Sequence, residues 1–282
     1  MNIQLGRSKI IRRAYGIDEI ALVPGGRTVD PEIINTSWEI GGINREIPII
    51  GSAMDGVVDV KMAIELSKLG SLGVINLEGI QTRYKNTDPI LDQISSTDKN
   101  KFVPLMQELY SKPIQEELIE KRIKEIKDSG AIAAVSATPM AAIKYREVIK
   151  KACPNLFFVQ GTVVSTDHLG PQGKESLDLK KLCSEFEIPV IIGNCVTYEV
   201  ALQLMQAGAA GIMVGIGPGA ACTSRGVLGV GIPQATAVAD CASARDDFEK
   251  ETGKYIPIIA DGGIITGGDI CKCLACGADS VM

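Results

Sequence analysis

The chain has 282 residues, of which 45% are hydrophobic and 22% charged, so it can close a full core and lacks the composition of a disordered segment. With 29 basic and 34 acidic residues its net charge is -5, which excludes the diffuse positive field of a nonspecific nucleic-acid binder. Its cysteines lack the density of a secreted disulfide scaffold, and no apolar leader opens the sequence. We therefore expect a cytoplasmic protein with no nucleic-acid partner and no membrane partner.

Short apolar runs recur along the chain without alternating polar residues, as in strands that are buried on both faces of a parallel sheet. They lie about 33 residues apart, close to the roughly 31 of a barrel that builds eight βα units from about 250 residues. The longest gap, 77–130, contains a charged helix pattern at 113–128, so we expect an insertion or an extra helix there. The sequence thus predicts an α/β fold, a (β/α)8 TIM barrel of parallel strands over residues 1–282, with strands at 47–52, 72–76, 131–136, 156–160, 188–193, 211–215, 256–260 and 279–282.

Helix signals separate these runs. Thr138 precedes a proline, Thr197 precedes a segment with a glutamate in its first turn, and Pro233 opens a third segment. Glycines that can end helices precede the next strands, at Gly130, Gly208 and Gly277. The elements therefore alternate as a barrel requires.

A doubly wound nucleotide-binding sheet is the structural alternative, because it also alternates strands and helices. Its glycine fingerprint would follow the first strand, where the chain has GSAMDG at 51–56, with the wrong spacing. The GIGPG sequence at 215–219 is superficially similar, but Cys222 follows it in place of a helix-opening glycine. The barrel is therefore the preferred fold.

The active residues of such a barrel lie at the carboxyl ends of its strands. Four strand ends carry polar or glycine-rich sequence: SAMD at 52–55, Gly193 with Asn194, the loop at 215–225, and DGG at 261–263. Because the carboxyl ends of all the strands meet at one rim, we expect these segments to converge on one site.

Cys222 ends the glycine-rich loop, where free backbone N–H groups favour an anion or a thiolate. A small buried cysteine is the alternative, and we prefer that interpretation for Cys153, Cys183, Cys195 and Cys241. For Cys222 we predict a nucleophile. The hydroxyls of Thr223 and Ser224 are secondary candidates for substrate binding or proton relay, although solvated loop hydroxyls would give the same sequence.

Asp261 precedes two glycines, so backbone can approach a ligand closely while the carboxylate accepts hydrogen bonds from a vicinal diol such as a ribose. Asp-Gly is also an ordinary turn signal, but the strand-end position favours function. Asp55 before Gly56 has the same ambiguity and a weaker claim.

Three cysteines crowd one helix, at Cys271, Cys273 and Cys276, and invite a metal interpretation. Positions two apart on a helix point in different directions and no second cluster completes four ligands, so we interpret them as packing residues. His168 is the single histidine and follows Asp167 in a polar loop, which favours a solvated residue over a general base.

Three segments have distinctive sequences: the loop GIGPGAACTSR at 215–225, GIPQATAV at 231–238 and IADGGI at 259–264. Two more follow strands one and five, IGSAMD at 50–55 and IGNCVT at 192–197. Together these segments resemble the IMP dehydrogenase/GMP reductase family, and the resemblance extends over most of the chain.

The resemblance implies a barrel that binds a purine nucleoside monophosphate and uses NAD as its cofactor. Cys222 would attack purine C2 as the nucleophile, and Ser224 would replace the threonine that assists proton transfer in the family. The remaining implied roles are substrate binding by Ser52, Met54, Gly219, Asp261, Gly262 and Gly263, an approach to the nicotinamide by Asn194 and Gly215, and potassium binding by the carbonyls of Gly217, Gly219 and Cys222.

The chain departs from the family pattern at three places. Ala220 replaces a phosphate-binding serine, Gln160-Gly-Thr-Val replaces the aspartate-and-serine segment after strand four, and Met213 replaces an arginine within strand six. The regulatory CBS pair cannot fit into 77–130, which indicates a branch without that module. The chain stops within strand eight, where the family continues with a phosphate-binding turn and a closing helix, so we expect its carboxyl-terminal part to be missing and the general base to lie in it.

The resemblance implies an IMP dehydrogenase, which oxidises IMP to XMP in guanine nucleotide synthesis, assembled as a homotetramer. GMP reductase, which runs hydride from NADPH and releases ammonia, is the nearest alternative. A purine-nucleotide-binding barrel that has lost catalysis is the third, although the retained Cys222 disfavours it.

Overall fold

The computed structural model describes residues 2–5, 7, 9–166 and 178–282. Its strands are β1 (Asn2–Leu5), β2 (Lys9–Arg12), β3 (Trp38–Ile40), β4 (Ile43–Arg45), β5 (Ile50–Gly51), β6 (Leu72–Asn76), β7 (Ala134–Ala137), β8 (Leu156–Gln160), β9 (Val190–Cys195), β10 (Gly211–Val214), β11 (Ile258–Ala260) and β12 (Ser280–Val281). Strands β5 to β12 lie in chain order in one eight-stranded sheet, and every pair in it is parallel. The predicted TIM barrel is confirmed.

All eight predicted strand segments overlap a strand of this sheet, and β6 and β8 match their predicted ranges end to end. Strands β7 and β9 begin later than predicted and end one and two residues beyond the predicted segments. The first and last strands are shorter than predicted, at two residues each. These two strands meet at the barrel seam, where Ile49 pairs with Val281 and the Val281 amide donates to the Pro48 carbonyl at 3.0 Å. The barrel is therefore nearly closed, through a short contact between the first and last strands of the sheet.

The helices alternate with the barrel strands as predicted. Thr138 and Thr197 cap their helices by accepting from the amides of Ala141 and Val200, and Gly130 takes a positive φ of 79° where its helix ends. Across the described residues, no helix is long and apolar enough to cross a lipid bilayer. The helices are α1 (Val60–Lys68), α2 (Asp88–Ser96), α3 (Lys99–Ser111), α4 (Glu116–Asp128), α5 (Pro139–Lys144), α6 (Arg146–Ala152), α7 (Leu179–Glu185), α8 (Tyr198–Gln206), α9 (Gln234–Thr252) and α10 (Gly267–Ala275), with short 3-10 turns at Ile17–Glu19, Pro31–Ile33 and Ile80–Thr82 and a π-helical turn at Ser224–Leu228.

The long gap between β6 and β7 contains α2 and α3 in addition to the predicted α4, so both the insertion and the helix are present. Asp55 fastens this insertion to the barrel, because its Oδ2 accepts from the Ile80 amide at 2.9 Å and from the Tyr110 hydroxyl. Burial and the Asp55 contact raise the pKa of Tyr110. Asp55 therefore has a structural role. The residues between β6 and β7 form helices, without a CBS pair.

The core has two layers. Interior-facing residues such as Leu72, Phe158 and Met213 fill the barrel, and each has no exposed surface. A larger cluster, which includes Ile123 and Phe157, lies between the sheet and its helices. The sequence lacks alternation because both faces of each strand are covered in this way.

A hairpin of β3 and β4 closes the amino-terminal end of the barrel. Strands β3 and β4 pair antiparallel and insert Trp38 and Ile40 beneath the interior residues. Gly41 makes the turn with φ of +56°, and a Cβ there would lie 2.5 Å from the Cβ of Pro189. This end is therefore an apolar plug.

Candidate active site

A cavity of about 530 Å³ opens at the carboxyl end of the barrel, a volume within the range of small-molecule sites. Its walls come from the ends of β7 to β11 and from the loop that follows β10. Asp261 is the charged residue among the described ones that line it. These residues are Thr138, Gln160, Gly161, Thr162, Asn194, Gly215, Ile216, Gly217, Pro218, Gly219, Ala221, Cys222, Thr223, Ser224, Asp261 and Gly262.

Cys222 lies on the loop after β10 and its side chain is exposed to the cavity. Its amide donates to the Gly219 carbonyl at 3.0 Å, which closes a tight turn. Its Sγ lies 3.4 Å from the Oγ of Ser224, a side chain that is itself buried. Hydrogen bonding by the Ser224 hydroxyl, together with its backbone amide, lowers the pKa of the Cys222 thiol. The site thus favours a thiolate on an accessible sulfur.

Arg225 packs against the loop that carries Cys222. Its aliphatic stem lies against two glycines, where a Cβ would come within 2.1 Å of it at Gly217 and within 2.6 Å at Gly231. Both glycines have positive φ angles, +88° and +151°. The loop conformation that presents Cys222 therefore requires these glycines.

Asp261 follows β11, and its carboxylate faces the barrel interior. Its Oδ2 accepts from Asn194 Nδ2 at 2.7 Å and from Gln160 Nε2 at 3.2 Å. Burial raises the pKa of Asp261, and these two donors oppose that shift. The carboxylate is thus held by neutral amides at the centre of the rim.

Asn194 reaches Asp261 because β9 carries one extra residue there. Gly193 pairs with Met213 and Cys195 pairs with Val214, so Asn194 is the unpaired residue of a bulge. Its Nδ2 also donates to the Gly215 carbonyl at 2.8 Å, and the side chain is 6% exposed. The bulge therefore delivers a fixed amide to the site.

Two glutamines connect the strand ends. Gln160 Oε1 accepts from Ser136 Oγ at 3.4 Å, which joins β7 to the Asp261 cluster. Gln234 opens α9 and donates from Nε2 to the Val214 carbonyl at 2.7 Å and to the Asp261 carbonyl at 3.3 Å. Hydrogen bonds thus run continuously from β7 to β11 across the rim.

The two glycines after Asp261 pack against the cysteine loop. A Cβ at Gly263 would lie 2.8 Å from the Pro218 carbonyl oxygen, and one at Gly262 would lie 3.3 Å from the Pro218 ring. Both have positive φ angles, +89° for Gly262 and +76° for Gly263. The two glycine-rich segments therefore approach as closely as their backbones allow.

The structure brings most of the predicted site residues to this cavity: Asn194, Gly215, Gly217, Gly219, Cys222, Ser224, Asp261 and Gly262 line it. Gly263 does not line the cavity and packs against Pro218. Ser52 and Met54 follow β5 at the same rim without lining the cavity, and Met54 is 53% exposed. His168 lies outside the described residues. The roles assigned to all these residues stay predictions.

The other cysteines differ in their surroundings. The predicted burial is confirmed for Cys195 and Cys241, and Cys183 is half-buried. The prediction is wrong for Cys153, which is exposed because it lies at the end of α6. In the α10 group, Cys273 is buried and Cys271 is exposed, with Cys276 between them. Burial raises the pKa of the Cys273 and Cys276 thiols, with Cys273 at about 12. Within the described parts of the chain, no three histidine, cysteine or acidic side chains are grouped to hold a metal ion.

Sequence reasoning named Gln160 only as a departure from the family pattern and did not identify Gln234 or Thr138 as site residues. Gln160 and Thr138 end or follow strands, so their position at the rim could have identified them. Thr138 is held by Glu78, whose carboxylate accepts from its amide at 2.6 Å and its hydroxyl at 3.1 Å. Gln234 offered no local signal, because its partners lie on two neighbouring strand ends.

Comparison with known proteins agrees with this architecture. An IMP dehydrogenase/GMP reductase-like protein from Corynebacterium glutamicum has a crystal structure that superposes with a TM-score of 0.90 at 35% identity, covering 100% of this chain and 75% of that one. A Mycobacterium leprae protein named an uncharacterised oxidoreductase is 37% identical over 99% of this chain and 76% of its own length. The inosine-5'-monophosphate dehydrogenase of Cryptosporidium parvum is 34% identical over 98% of this chain and 68% of its own length.

The family comparison covers nearly the whole chain. The model of the IMP dehydrogenase / GMP reductase domain matches residues 14–282, which include every barrel strand and every residue lining the cavity. The resemblance found in the cysteine loop and the strand ends is therefore confirmed: this chain belongs to the IMP dehydrogenase/GMP reductase family.

Proposed function

We propose that this protein is an NAD-dependent IMP dehydrogenase that oxidises IMP to XMP through a covalent adduct on Cys222. The observation that carries the proposal is an exposed, hydrogen-bonded thiol facing a part-buried carboxylate across one cavity at the barrel rim. The family relation supports an oxidoreductase that acts on a purine nucleotide.

Cys222 acts as the nucleophile. Its thiolate forms a bond to purine C2, and loss of hydride from C2 leaves a thioimidate on sulfur. Water then adds at C2 and releases XMP with the free thiol. Ser224 lowers the pKa of the thiol and so raises the fraction of thiolate at neutral pH.

The nucleotide is bound largely by backbone and neutral groups. The described residues that line the cavity include no lysine or arginine, so we assign the phosphate to the glycine segments at Gly219, Gly262 and Gly263. The Gly262 amide donates to the Met282 carbonyl at 3.4 Å and would have to exchange this partner for the phosphate. Asp261 takes the ribose hydroxyls. We assign Ser52 and Met54 to the outer edge of the purine site, at the rim end of β5.

Asn194 and Gly215 would hold the nicotinamide of NAD, which would supply the acceptor for the hydride. The residues present fit a nicotinamide carboxamide: both N–H groups of Asn194 are used, by Gly215 and Asp261, and no donor among the described residues reaches its Oδ1, which is the acceptor for an NH2 group. Gln160 lines the cavity as a neutral amide, whereas Met213 is buried in the barrel interior and does not line it. Potassium binding by the carbonyls of Gly217, Gly219 and Cys222 is also part of the proposal, as is a homotetramer. The Gly219 carbonyl accepts a hydrogen bond from the Cys222 amide as well.

The test is a paired absorbance assay at the NADH band, with IMP plus NAD beside GMP plus NADPH. We expect NADH only with IMP, and a loss of at least about 10³-fold in Cys222→Ala, as for other nucleophile deletions. Cys271→Ala, which removes an exposed thiol on α10, is the matched control and should retain full activity. Turnover with GMP alone would replace the proposal by a reductase. Tight nucleotide binding without either reaction would replace it by a binding barrel.

A further inference from the structure

The two oxygens of the Asp261 carboxylate have unequal surroundings. Oδ2 accepts two hydrogen bonds, from Asn194 at 2.7 Å and from Gln160 at 3.2 Å. Within the described part of the chain, no hydrogen bond reaches Oδ1. Each carboxylate oxygen offers about two lone-pair sites, so Oδ2 is filled and Oδ1 is the oxygen left for a ligand.

Both donors are fixed before any ligand arrives. Gln160 lies in interior register with Phe158 on β8, and its Oε1 accepts from the buried Ser136 at 3.4 Å, which turns its NH2 group toward Asp261. The Asn194 amide is held in the same way by the Gly215 carbonyl at 2.8 Å. The asymmetry of the carboxylate is therefore built into the barrel.

No described cation competes for this carboxylate. Cys222 is the titratable group that faces it, and the ionised Asp261 raises the pKa of that thiol. Two neutral amides alone thus hold the ionised form against burial. Removal of one of them changes both the pKa and the number of free acceptor sites.

We propose that Gln160 is a specificity-determining residue that fills Oδ2 of Asp261, so that the carboxylate binds one hydroxyl of a vicinal diol strongly and the other weakly. This inference rests on the proposed function, which places the ribose of a purine nucleoside monophosphate against Asp261. A carboxylate that binds both hydroxyls of a diol equally accepts one hydroxyl on each oxygen. With Oδ2 occupied, the second hydroxyl has no acceptor of its own.

Calorimetry with IMP, 2'-deoxy-IMP and 3'-deoxy-IMP tests the asymmetry. In the wild type we expect one deletion to weaken binding about tenfold or more, as for a hydrogen bond to a charged group, and the other by less than about threefold. In Gln160→Met, which keeps the chain length but removes the donor, both deletions should weaken binding about tenfold. Gln93→Met, at an exposed position on α2, is the matched control and should behave as the wild type. Equal losses in the wild type would overturn the inference.

A second measurement needs no ligand and adds a second variant at the same position. Carboxyl ¹³C titration by NMR, with the Asp261 signal assigned from Asp261→Asn, should show a higher pKa of Asp261 in Gln160→Met and a still higher one in Gln160→Glu. An unchanged pKa in both variants would overturn the inference. Raised pKa values with no binding of any nucleotide would overturn the proposed function and the diol role together, whereas equal deoxy losses would overturn this inference alone.

Discussion

The two ends of the barrel are built from the same eight strands and differ in chemistry. At the amino-terminal end, β3 and β4 bury Trp38 and Ile40 against the interior, in a region without a described catalytic group. At the carboxyl end, the strands carry Gln160, Asn194 and Asp261 into a polar cluster beneath an exposed thiol. The comparison separates residues that stabilise the barrel from residues that give it a site.

The largest effect on stability is expected at the plug. Ile40 has no exposed surface, and Ile40→Ala should lower the free energy of unfolding by about 2–5 kcal/mol through lost burial and a residual cavity. Denaturant unfolding measures this change, and the rate of iodoacetamide reaction at Cys222 in the folded variant should stay at the wild-type value. Ile33→Ala, at a position 75% exposed, is the control. A slowed thiol reaction in Ile40→Ala would show that the two ends are coupled.

The next effect separates stability from function at the rim. Burial raises the pKa of Asp261 above its unfolded value, so the protonated form favours folding and this stabilisation is lost as pH rises through the folded pKa. At neutral pH the buried charge therefore costs stability. Asp261→Asn should raise the free energy of unfolding at pH 7, with a smaller difference in acid, and weaken IMP binding about 10- to 100-fold.

Unfolding at two pH values and calorimetry measure these two changes. Asp128→Asn, at an exposed position at the end of α4, is the control and should alter neither quantity. Loss of stability at pH 7 in Asp261→Asn would mean that the carboxylate supports the fold, and the contrast between the two ends would then fail.

The smallest effect sharpens the role of Ser224. Ser224→Ala removes the hydroxyl that lies 3.4 Å from Cys222 Sγ, so the pKa of the thiol should rise toward its ordinary value. The iodoacetamide rate at neutral pH should fall roughly fivefold, for a hydrogen bond of about 1 kcal/mol. Thr223→Val removes a neighbouring hydroxyl that is not bonded to Cys222 and serves as the control. An unchanged rate in Ser224→Ala would mean that the backbone amides alone tune the thiol.

The fold followed from the sequence because each strand is an apolar run bounded by helix signals, and β6 and β8 were located end to end. Cys222 and Asp261 were located because strand ends converge in a barrel. The Gln160 contact with Asp261 was missed because 101 residues separate them and the contact depends on both facing the interior in register. The extra residue at Asn194 was missed because a bulge has no sequence signature of its own here.

That bulge also separates two constraints that a regular strand would combine. Gly193 packs against Met213 inside the barrel, Cys195 packs outward against the helices, and Asn194 between them contributes to neither layer. A substitution at this position alters what the strand offers to a ligand while the packing on both sides stays in place. One side chain therefore sets the chemistry of the rim at this position, and its substitution affects the Gly215 carbonyl and Asp261 more than the hydrophobic packing.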